Sequence, residues 1–558
     1  MTKPHEPNTK DLPSGSTAFQ IFLFLLTLSL YLGLSSRLYF GEGMKWAILL
    51  KQGWTPVQFH PHHLLYNPAG LLLYRFISLF HADLNPIHAL LLLDALFGAA
   101  GAVLFYRTAL MLTRNRLVAS AVPIGLAFSW GYWSHSQNVE VYVPSCFFLF
   151  LVLHLVLKRV IHDQRTQWVL PGLAFSAACL FHQANIFYLP VPLAGILLLS
   201  EPRRDKIRHL LQFSLTCGTF TVAPYLMVAF LIRGDRSTAQ IERWILAYGY
   251  TVSDYYWRFT LSSLKCVVGS LQIIFMDFIP SSLGKTSRHV SDGSLSVMKG
   301  GILCLTAFLL IFRSGSGWRS FLRFHKKPLA LCAVSILSQG LFFTFWDPGG
   351  WFFWIQHLAP LWLVLAMLAA YPQDRKKAAS LRLILLCAMV GLLFLVNLFN
   401  SVIPLHDAEG VADARYLQFL EQHTTPGDLA LFTSTGVKII PNLGGPLCYL
   451  YCELFGSFEL DSFLPSVRTP PGAEALAGKI RRFLNHGSHV YSVTTVKRGK
   501  HLKKQAREAV RKFLDDAGFE QVPVAEYVED TIYKGNTLYR IELKKNPQTS
   551  QPLSHLPS

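Results

Sequence analysis

The sequence predicts a polytopic α-helical membrane protein that ends in a C-terminal extracytoplasmic α/β domain. Its 558 residues are 51% hydrophobic and only 15% charged, whereas charged residues make up about 25% of a typical soluble domain. Apolar runs such as 18–40, 88–112 and 381–402 reach the roughly 20 residues with which a helix crosses about 30 Å of hydrocarbon. Each run is expected to be helical because lipid offers backbone amides no hydrogen-bond partners.

Lysine and arginine are concentrated in short clusters between the apolar runs, at 107–116, 158–165, 203–208, 313–327 and 375–377. Such clusters mark cytoplasmic loops, so the net charge of +18 reflects topology and does not indicate a nucleic-acid partner. With all of them inside, residues 1–17 form a cytoplasmic tail, and loops 40–86 and 233–296 lie on the outer side. The partner predicted for the apolar surface is the lipid bilayer.

The number of spans depends on segment 261–280, which is apolar enough to cross the membrane. Counting it as a span would move the basic cluster at 313–327 to the outer side, against the positive-inside rule. We therefore interpret it as a re-entrant or interfacial helix, which leaves about eleven transmembrane helices. A count of twelve stays open.

The composition changes after Pro404, where apolar runs shorten and charges return. The predicted domains are a transmembrane domain at 18–404, an α/β domain at 405–545 and a disordered tail at 546–558. Sequences such as HVYSVTT and NTLYRIEL predict strands, and the basic stretch between them predicts a helix. Two cysteines of the outer domain, Cys448 and Cys452, could form a disulfide or remain two thiols.

Polar residues from several predicted outer loops converge on one face under this topology. The candidate site residues are Glu42, His60, His62 and Asn67 in the first loop, Glu140 and Tyr142 in the second, His182 in the third, Arg243 and Arg258 in the fourth and His357 in the fifth. Interfacial aromatics are also common as simple membrane anchors. The histidines and acids follow no recognised metal spacing, so no metal ligands are assigned, and a divalent metal ion stays an open alternative.

Three acidic residues stand close to or inside the apolar runs. Glu42 follows the first run by two residues, so its carboxylate meets lipid headgroups and water together. An enzyme that handles a lipid-linked polar substrate needs its base at that depth, although a solvated loop glutamate is the alternative. Asp94 and Asp277 lie within apolar runs, where an acid is expected to be functional or paired.

The order of these features resembles the GT-C superfamily of integral membrane glycosyltransferases. A first helix is followed by an acid-bearing loop, the stretch FHPHHLLYNP, a span ending in Tyr-Arg, and a second acid in Glu140-Val141-Tyr142 at the head of the fourth span. The likeness is with the protein O-mannosyltransferase and aminoarabinose transferase branch, especially its bacterial members. It covers about the first 400 residues as an architecture. The chain has HPHH where HPP is usual, and a single Glu followed by Gly43 where many relatives carry Asp or paired acids.

The resemblance implies that the chain moves a sugar from a polyprenyl-phosphate donor to a lipid, glycan or protein acceptor. It implies that Glu42 is the general base, that Glu140 is the second-loop acid, and that His182 lies near the lipid phosphate. Arg243 and Arg258 are alternative cationic groups for that phosphate. It further implies inversion at the anomeric carbon, and a bacterial inner (plasma) membrane location with the α/β domain outside.

Two other functions stay open at this point. A transporter or flippase of a lipid-linked glycan would place paired charges deep in several spans and on both sides, whereas these polar groups lie on one side. A non-catalytic membrane assembly protein would use the outer domain to bind a partner.

Overall fold

The computed structural model describes residues 16–36, 43, 46–47, 49–50, 53–82, 84–162, 167–246, 259–276, 316–371, 376–407, 419, 422–423, 428–433, 470–494, 508, 511–527 and 536–544. The chain forms two compact units. The first comprises Met1–Ser36, Leu49–Pro280 and Ser287–His406, and the second comprises Arg37–Ile48, Ser281–Thr286 and Asp407–Ser558.

The described part of the first unit is helical. In chain order its longer helices are α1 (Thr17–Gly33), α2 (Tyr66–Ser78), α3 (Pro86–Thr113), α4 (Arg116–Phe128), α5 (Trp130–Ser136), α6 (Tyr142–His162), α7 (Val169–Phe181), α8 (Pro190–Leu198), α9 (Arg203–Met227), α10 (Thr238–Ile245), α11 (Leu261–Phe275), α12 (Ser316–Phe324), α13 (Lys326–Trp346), α14 (Leu358–Ala370) and α15 (Lys376–Asn397). Short 3-10 turns at Pro56–Gln58, Pro61–His63, Gln183–Tyr188 and Trp351–His357 lie between them.

Six helical segments of the described residues are long and apolar enough to cross a membrane. They are Pro86–Thr113, Tyr142–His162, Arg203–Arg233, Lys326–Trp346, Trp351–Ala370 and Leu381–His406. Shorter apolar helices occur at Thr17–Gly33, Arg116–Phe128, Val169–Phe181, Gln183–Leu198 and Leu261–Phe275. The described helices thus support an integral membrane protein, while the count of about eleven spans stays a prediction.

The α11 helix lies in the segment that the sequence leaves ambiguous. Its 15 residues extend about 22 Å at 1.5 Å per residue, less than the thickness of the hydrocarbon layer. Its last turn packs into the bundle, because Ile274 contacts Gly131 and Asn397 donates a 2.8 Å hydrogen bond to the carbonyl of Phe275. A helix that is short and buried at one end fits the re-entrant interpretation.

Helix α3 forms the centre of the bundle, and α9 lies at its edge. In the most apolar 18 residues of each segment, 72% of the residues are buried in α3, but only 17% are buried in Arg203–Arg233, which begins with α9. The exposed face of α9 carries large apolar side chains such as Leu215, Phe220 and Met227. An apolar surface of this extent requires lipid or another protein against it.

Glycines allow close packing at two contacts in the bundle. A Cβ at Gly101 of α3 would overlap the hydroxyl of Tyr132, and one at Gly125 of α4 would overlap the indole of Trp362. Trp362 also donates a 3.1 Å hydrogen bond to Ser129. Small residues let helices approach in this way throughout membrane proteins.

The second unit contains a four-stranded mixed sheet in the order β1-β2-β4-β3. Its strands are β1 (Leu429–Thr433), β2 (Val490–Thr494), β3 (Phe519–Tyr527) and β4 (Asn536–Leu543). β1 and β2 are parallel, as expected for strands joined by a crossover, and helix α16 (Pro470–Asn485) lies between them in the chain. The core of this unit is made by Leu476, Ile480, Val490, Phe513, Leu514, Phe519 and Ile541.

Strands β2 and β4 lie where the sequence predicts them, but β3 was not predicted. β3 begins after Gly518, whose φ is 83°, and contains Pro523, which weakens a strand pattern. The sheet accepts the proline because β3 is an edge strand with a register shift between Pro523 and Ala525. Cys448, Cys452 and Asp277 lie outside the described residues, and the side of the membrane on which this unit lies stays a prediction.

Candidate functional site

A buried carboxylate in α3 joins two of the predicted outer loops. Asp94 is fully buried, and its Oδ2 accepts a 2.7 Å hydrogen bond from the hydroxyl of Tyr66. The same oxygen accepts a 3.0 Å hydrogen bond from the backbone N–H of Glu140. The sequence predicts that Asp94 is functional or paired, and the structure identifies its partners.

Glu140 lies in the loop between α5 and α6, with its side chain buried. The loop is held at a second point, since the N–H of Ser36 donates a 3.2 Å hydrogen bond to the carbonyl of Gln137. Tyr142, two residues later, begins α6. The positive end of the helix dipole favours a carboxylate at this position.

The histidine run forms a 3-10 turn that packs against the third loop. His63 is buried, and its ring centroid lies 4.9 Å from that of His182 and 5.6 Å from that of His60. Helix α9 also fixes this turn, because the hydroxyl of its Tyr225 donates a 2.6 Å hydrogen bond to the carbonyl of Pro61. The first and third loops are therefore parts of one surface.

Burial keeps His62, His63 and His182 neutral. It lowers the pKa of His62 to about 4, and burial followed by repulsion from a protonated His62 lowers the pKa of His182 to about 3. Burial followed by the neighbouring histidines holds the pKa of His63 well below its usual range. Nδ1 of His182 accepts a 3.3 Å hydrogen bond from the N–H of Ala184, which places the proton of the neutral ring on Nε2. His182 thus acts as a neutral donor and not as a cation.

Aromatic side chains from the fifth loop close one side of the same surface. Tyr142 lies 5.2 Å from His182 and 5.2 Å from Phe352, measured between ring centroids. Phe353 lies 6.0 Å from His182, and Trp351 lies 5.0 Å from His135. We call Tyr142, Trp351, Phe352 and Phe353 the aromatic wall. Flat apolar faces beside polar donors suit a sugar ring or an unsaturated lipid chain.

No protein-family model matches the chain, and no curated protein matches it by sequence. Several solved structures match it in fold, among them the following two. ArnT from Cupriavidus metallidurans bound to undecaprenyl phosphate has a TM-score of 0.59 at 12% identity, with 95% of this chain and 98% of that chain covered. The apo state of the same protein has a TM-score of 0.60 at 11% identity and covers 94% and 98% of the two chains. The chain has the fold of ArnT. This match confirms the predicted GT-C-like architecture at the level of the fold.

The ArnT-like bundle brings together several of the residues that the sequence singles out. Glu140, Tyr142, His60, His62 and His182 belong to the connected surface described above. His63 and the three aromatics of the fifth loop also belong to this surface, although the sequence did not mark them as candidate site residues. Their position in predicted outer loops was the available signal, but aromatic residues are common at that depth and carry little information by themselves.

Asn67 follows Tyr66 in α2 and is buried. Neither polar atom of its amide has a hydrogen-bond partner among the described residues. Buried amides are usually satisfied, so this side chain has capacity to bind a polar group.

Other candidates lie elsewhere in the bundle or outside the described residues. His357 is buried at the start of α14, where its ring nitrogens lie 3.1 Å and 3.2 Å from the carbonyl oxygens of Trp354 and Ile336. Arg243 is exposed on α10, whose buried residue is Trp244. Glu42 and Arg258 lie outside the described residues. Within the described ranges, no group of three or more His, Cys, Asp or Glu side chains could hold a metal ion.

Proposed function

We propose that this protein is a membrane glycosyltransferase that moves a sugar from a polyprenyl-phosphate donor to an acceptor on the outer face of the membrane. The observation that carries the proposal is the fold match over 95% of the chain to an ArnT structure that holds undecaprenyl phosphate. The chain's own contribution is a surface of neutral histidines, aromatics and a buried acid in the loops between the apolar helices. Such a surface suits a sugar on a lipid phosphate.

The reaction is a single displacement at the anomeric carbon. The acceptor oxygen forms the new bond to this carbon, while the bond to the donor phosphate oxygen breaks and the polyprenyl phosphate leaves with the electron pair. A carboxylate takes the acceptor proton, and such a base typically contributes 10² to 10⁴ in rate. We assign this role to Glu42, on the strength of its sequence position at the end of the first apolar run. Attack from the face opposite the phosphate inverts the anomeric configuration.

We assign binding and electrostatic roles to the other predicted site residues. The Nε2–H of His182 donates to a phosphate oxygen, and Arg243 and Arg258 supply positive charge to the same group. His60, His62 and Asn67 hold polar groups of the donor, with Tyr142 and the rest of the aromatic wall against its apolar face. Glu140 acts as the second acid of the site. His357 contributes to binding indirectly, because its contact with the carbonyl of Ile336 holds α14 against α13.

Transfer by the purified protein tests the proposal. The protein in lipid is incubated with a panel of polyprenyl-phosphate sugars and with lipid, glycan and protein acceptors. We expect one donor to be consumed with formation of a glycosylated acceptor, and we expect Glu140→Gln to lower this rate. Glu242→Gln, at an exposed residue of α10, is the matched control. If no donor is consumed under conditions in which the protein stays folded, the proposal is wrong.

A further inference from the structure

We propose that Asp94 is a positioning residue that sets the place of the Glu140 carboxylate and joins it to the histidine loop through Tyr66. The proposal deepens the site described above and rests on the proposed function. The Oδ2 atom of Asp94 accepts a hydrogen bond from the backbone N–H of Glu140. Its effect therefore passes through the position of another residue.

The hydrogen bonds of Asp94 run to the predicted site loops. A carboxylate buried inside an apolar helix is costly unless donors surround it. The two hydrogen-bond donors to Asp94 described above come from predicted site loops, since Tyr66 lies three residues after His63 and Glu140 lies two residues before α6. Because one oxygen accepts both bonds, a shift of either loop strains the bond to the other.

Asp94 lies on the face of α3 that packs against α5. Asp94, Gly98 and Gly101 are spaced four and three residues apart and so share one face of the helix. The carbonyl of Gly98 accepts a 3.1 Å hydrogen bond from the hydroxyl of Tyr132, and Gly101 leaves room for the same side chain. This face of α3 therefore contacts α5 at Gly98 and Gly101, and it binds the backbone of Glu140 through Asp94.

The contacts of Asp94 differ from those of a polar side chain that ties two spans together. A carboxylate that merely stabilised the bundle would bond to helix side chains along the spans, as Thr108 does when it contacts His154 of α6 at 2.9 Å. Asp94 instead bonds to the first residue of one helix and to a loop residue. The geometry fits the placement of a loop, since a misplacement of about 1 Å can cost roughly a hundredfold in rate.

The kinetic test compares three variants. Asp94→Leu removes both acceptor bonds, Asp94→Asn keeps one acceptor oxygen, and Tyr66→Phe removes one donor at nearly constant volume. We expect Asp94→Leu to lower kcat by about tenfold to a hundredfold with little change in the donor KM. Asp94→Asn should keep most of the wild-type kcat. Thr108→Val, at another buried polar residue of α3, is the control and should leave kcat unchanged.

Combination with Glu140→Gln separates positioning from general stability. If Asp94 acts through Glu140, the double variant Asp94→Leu with Glu140→Gln is no slower than Glu140→Gln alone. Independent, multiplying losses would overturn the proposal. The proposal would also be overturned if Asp94→Leu had the wild-type kcat, whether or not its donor KM was raised.

Hydrogen exchange gives a readout that does not need transfer activity. The amide of Glu140 should exchange faster in folded Asp94→Leu than in the wild type, while peptides over 183–188 stay unchanged. If wild type transfers no sugar but this change is seen, the proposed function fails and the link between Asp94 and the loop stands. Unchanged exchange at Glu140 would refute the link even in an active enzyme.

Discussion

The hydroxyl of Tyr66 lies 2.7 Å from Oδ2 of Asp94, and this hydrogen bond ties the helix after the histidine run to the central span of the bundle. Since Asp94 also binds the backbone of Glu140, three distant parts of the chain meet at one carboxylate oxygen. The histidine turn and the aromatic wall meet at His182, and both elements come from the outer loops that the sequence predicts.

The base assigned from the sequence is tested by Glu42→Gln. We expect the variant to fold and to bind donor normally, but to turn over at least about a hundredfold more slowly, because an amide cannot take the acceptor proton. Steady-state transfer measures this, with Glu242→Gln as a control at an exposed glutamate. Transfer by Glu42→Gln at the wild-type rate would remove Glu42 from the mechanism.

The fourth outer loop is predicted to supply charge to the donor phosphate. Arg243→Ala and Arg258→Ala should each weaken donor binding by about tenfold to a hundredfold, the usual loss for one charged hydrogen bond. Equilibrium binding of a polyprenyl-phosphate sugar measures this. Arg236→Ala, at an exposed arginine before α10, should have no effect. If Arg243→Ala and Arg258→Ala both bind the donor as tightly as the wild type, the loop only anchors the chain in the membrane.

Packing of α4 against Trp362 makes Gly125 a sensitive position. Gly125→Ala should destabilise the protein by about 1 to 3 kcal/mol, because the added methyl group overlaps the indole ring. Gly218→Ala in α9 is the matched control, since a Cβ there meets no atom within 4 Å. It should be neutral or stabilising, because alanine favours a helix more than glycine does. Thermal unfolding in detergent measures both, and an equal melting temperature for Gly125→Ala and wild type would contradict this packing.

Burial of His182 predicts that acid weakens the fold. The pKa of this group is about 3 in the folded protein and about 6.5 in the unfolded chain, so between these values only the unfolded chain binds the proton. Stability due to the neutral ring is therefore complete above pH 6.5 and falls as the pH decreases. Between pH 7 and pH 5 the loss should be about 2 kcal/mol.

His182→Gln should flatten this part of the pH profile. Melting temperatures of the two proteins at matched pH values measure the difference. Gln183→Asn changes a neighbouring residue that does not titrate and should keep the wild-type slope. An unchanged slope in His182→Gln would show that His182 is not the group responsible.

The membrane class and the grouping of outer loops follow from composition and from the basic clusters, because hydrophobic thickness and charge asymmetry act on short segments. The pairing of Asp94 does not follow from such signals. Its partners are 28 and 46 residues away in the chain, and they meet only when α2, α3 and the second loop pack. The sequence marks Asp94 as an acid that needs partners but does not name them.

The neutral state of His182 also depends on packing. In the sequence it is a polar residue at the end of an apolar run, which suits a cationic contact to phosphate. In the structure the rings of His63, Tyr142 and Phe353 surround it, and burial lowers its pKa. A similar limit applies to β3, whose Pro523 is accepted only because the strand lies at the sheet edge.

The fate of the donor in a single turnover tests the central claim most directly. The purified protein in liposomes is mixed with a labelled polyprenyl-phosphate sugar and its acceptor, and the lipids and products are separated. The account predicts that free polyprenyl phosphate and glycosylated acceptor appear in equal amounts, with inverted anomeric configuration, and that Glu140→Gln forms both more slowly. Donor that crosses the bilayer intact, or that is bound but never cleaved in the presence of every acceptor class, would contradict it.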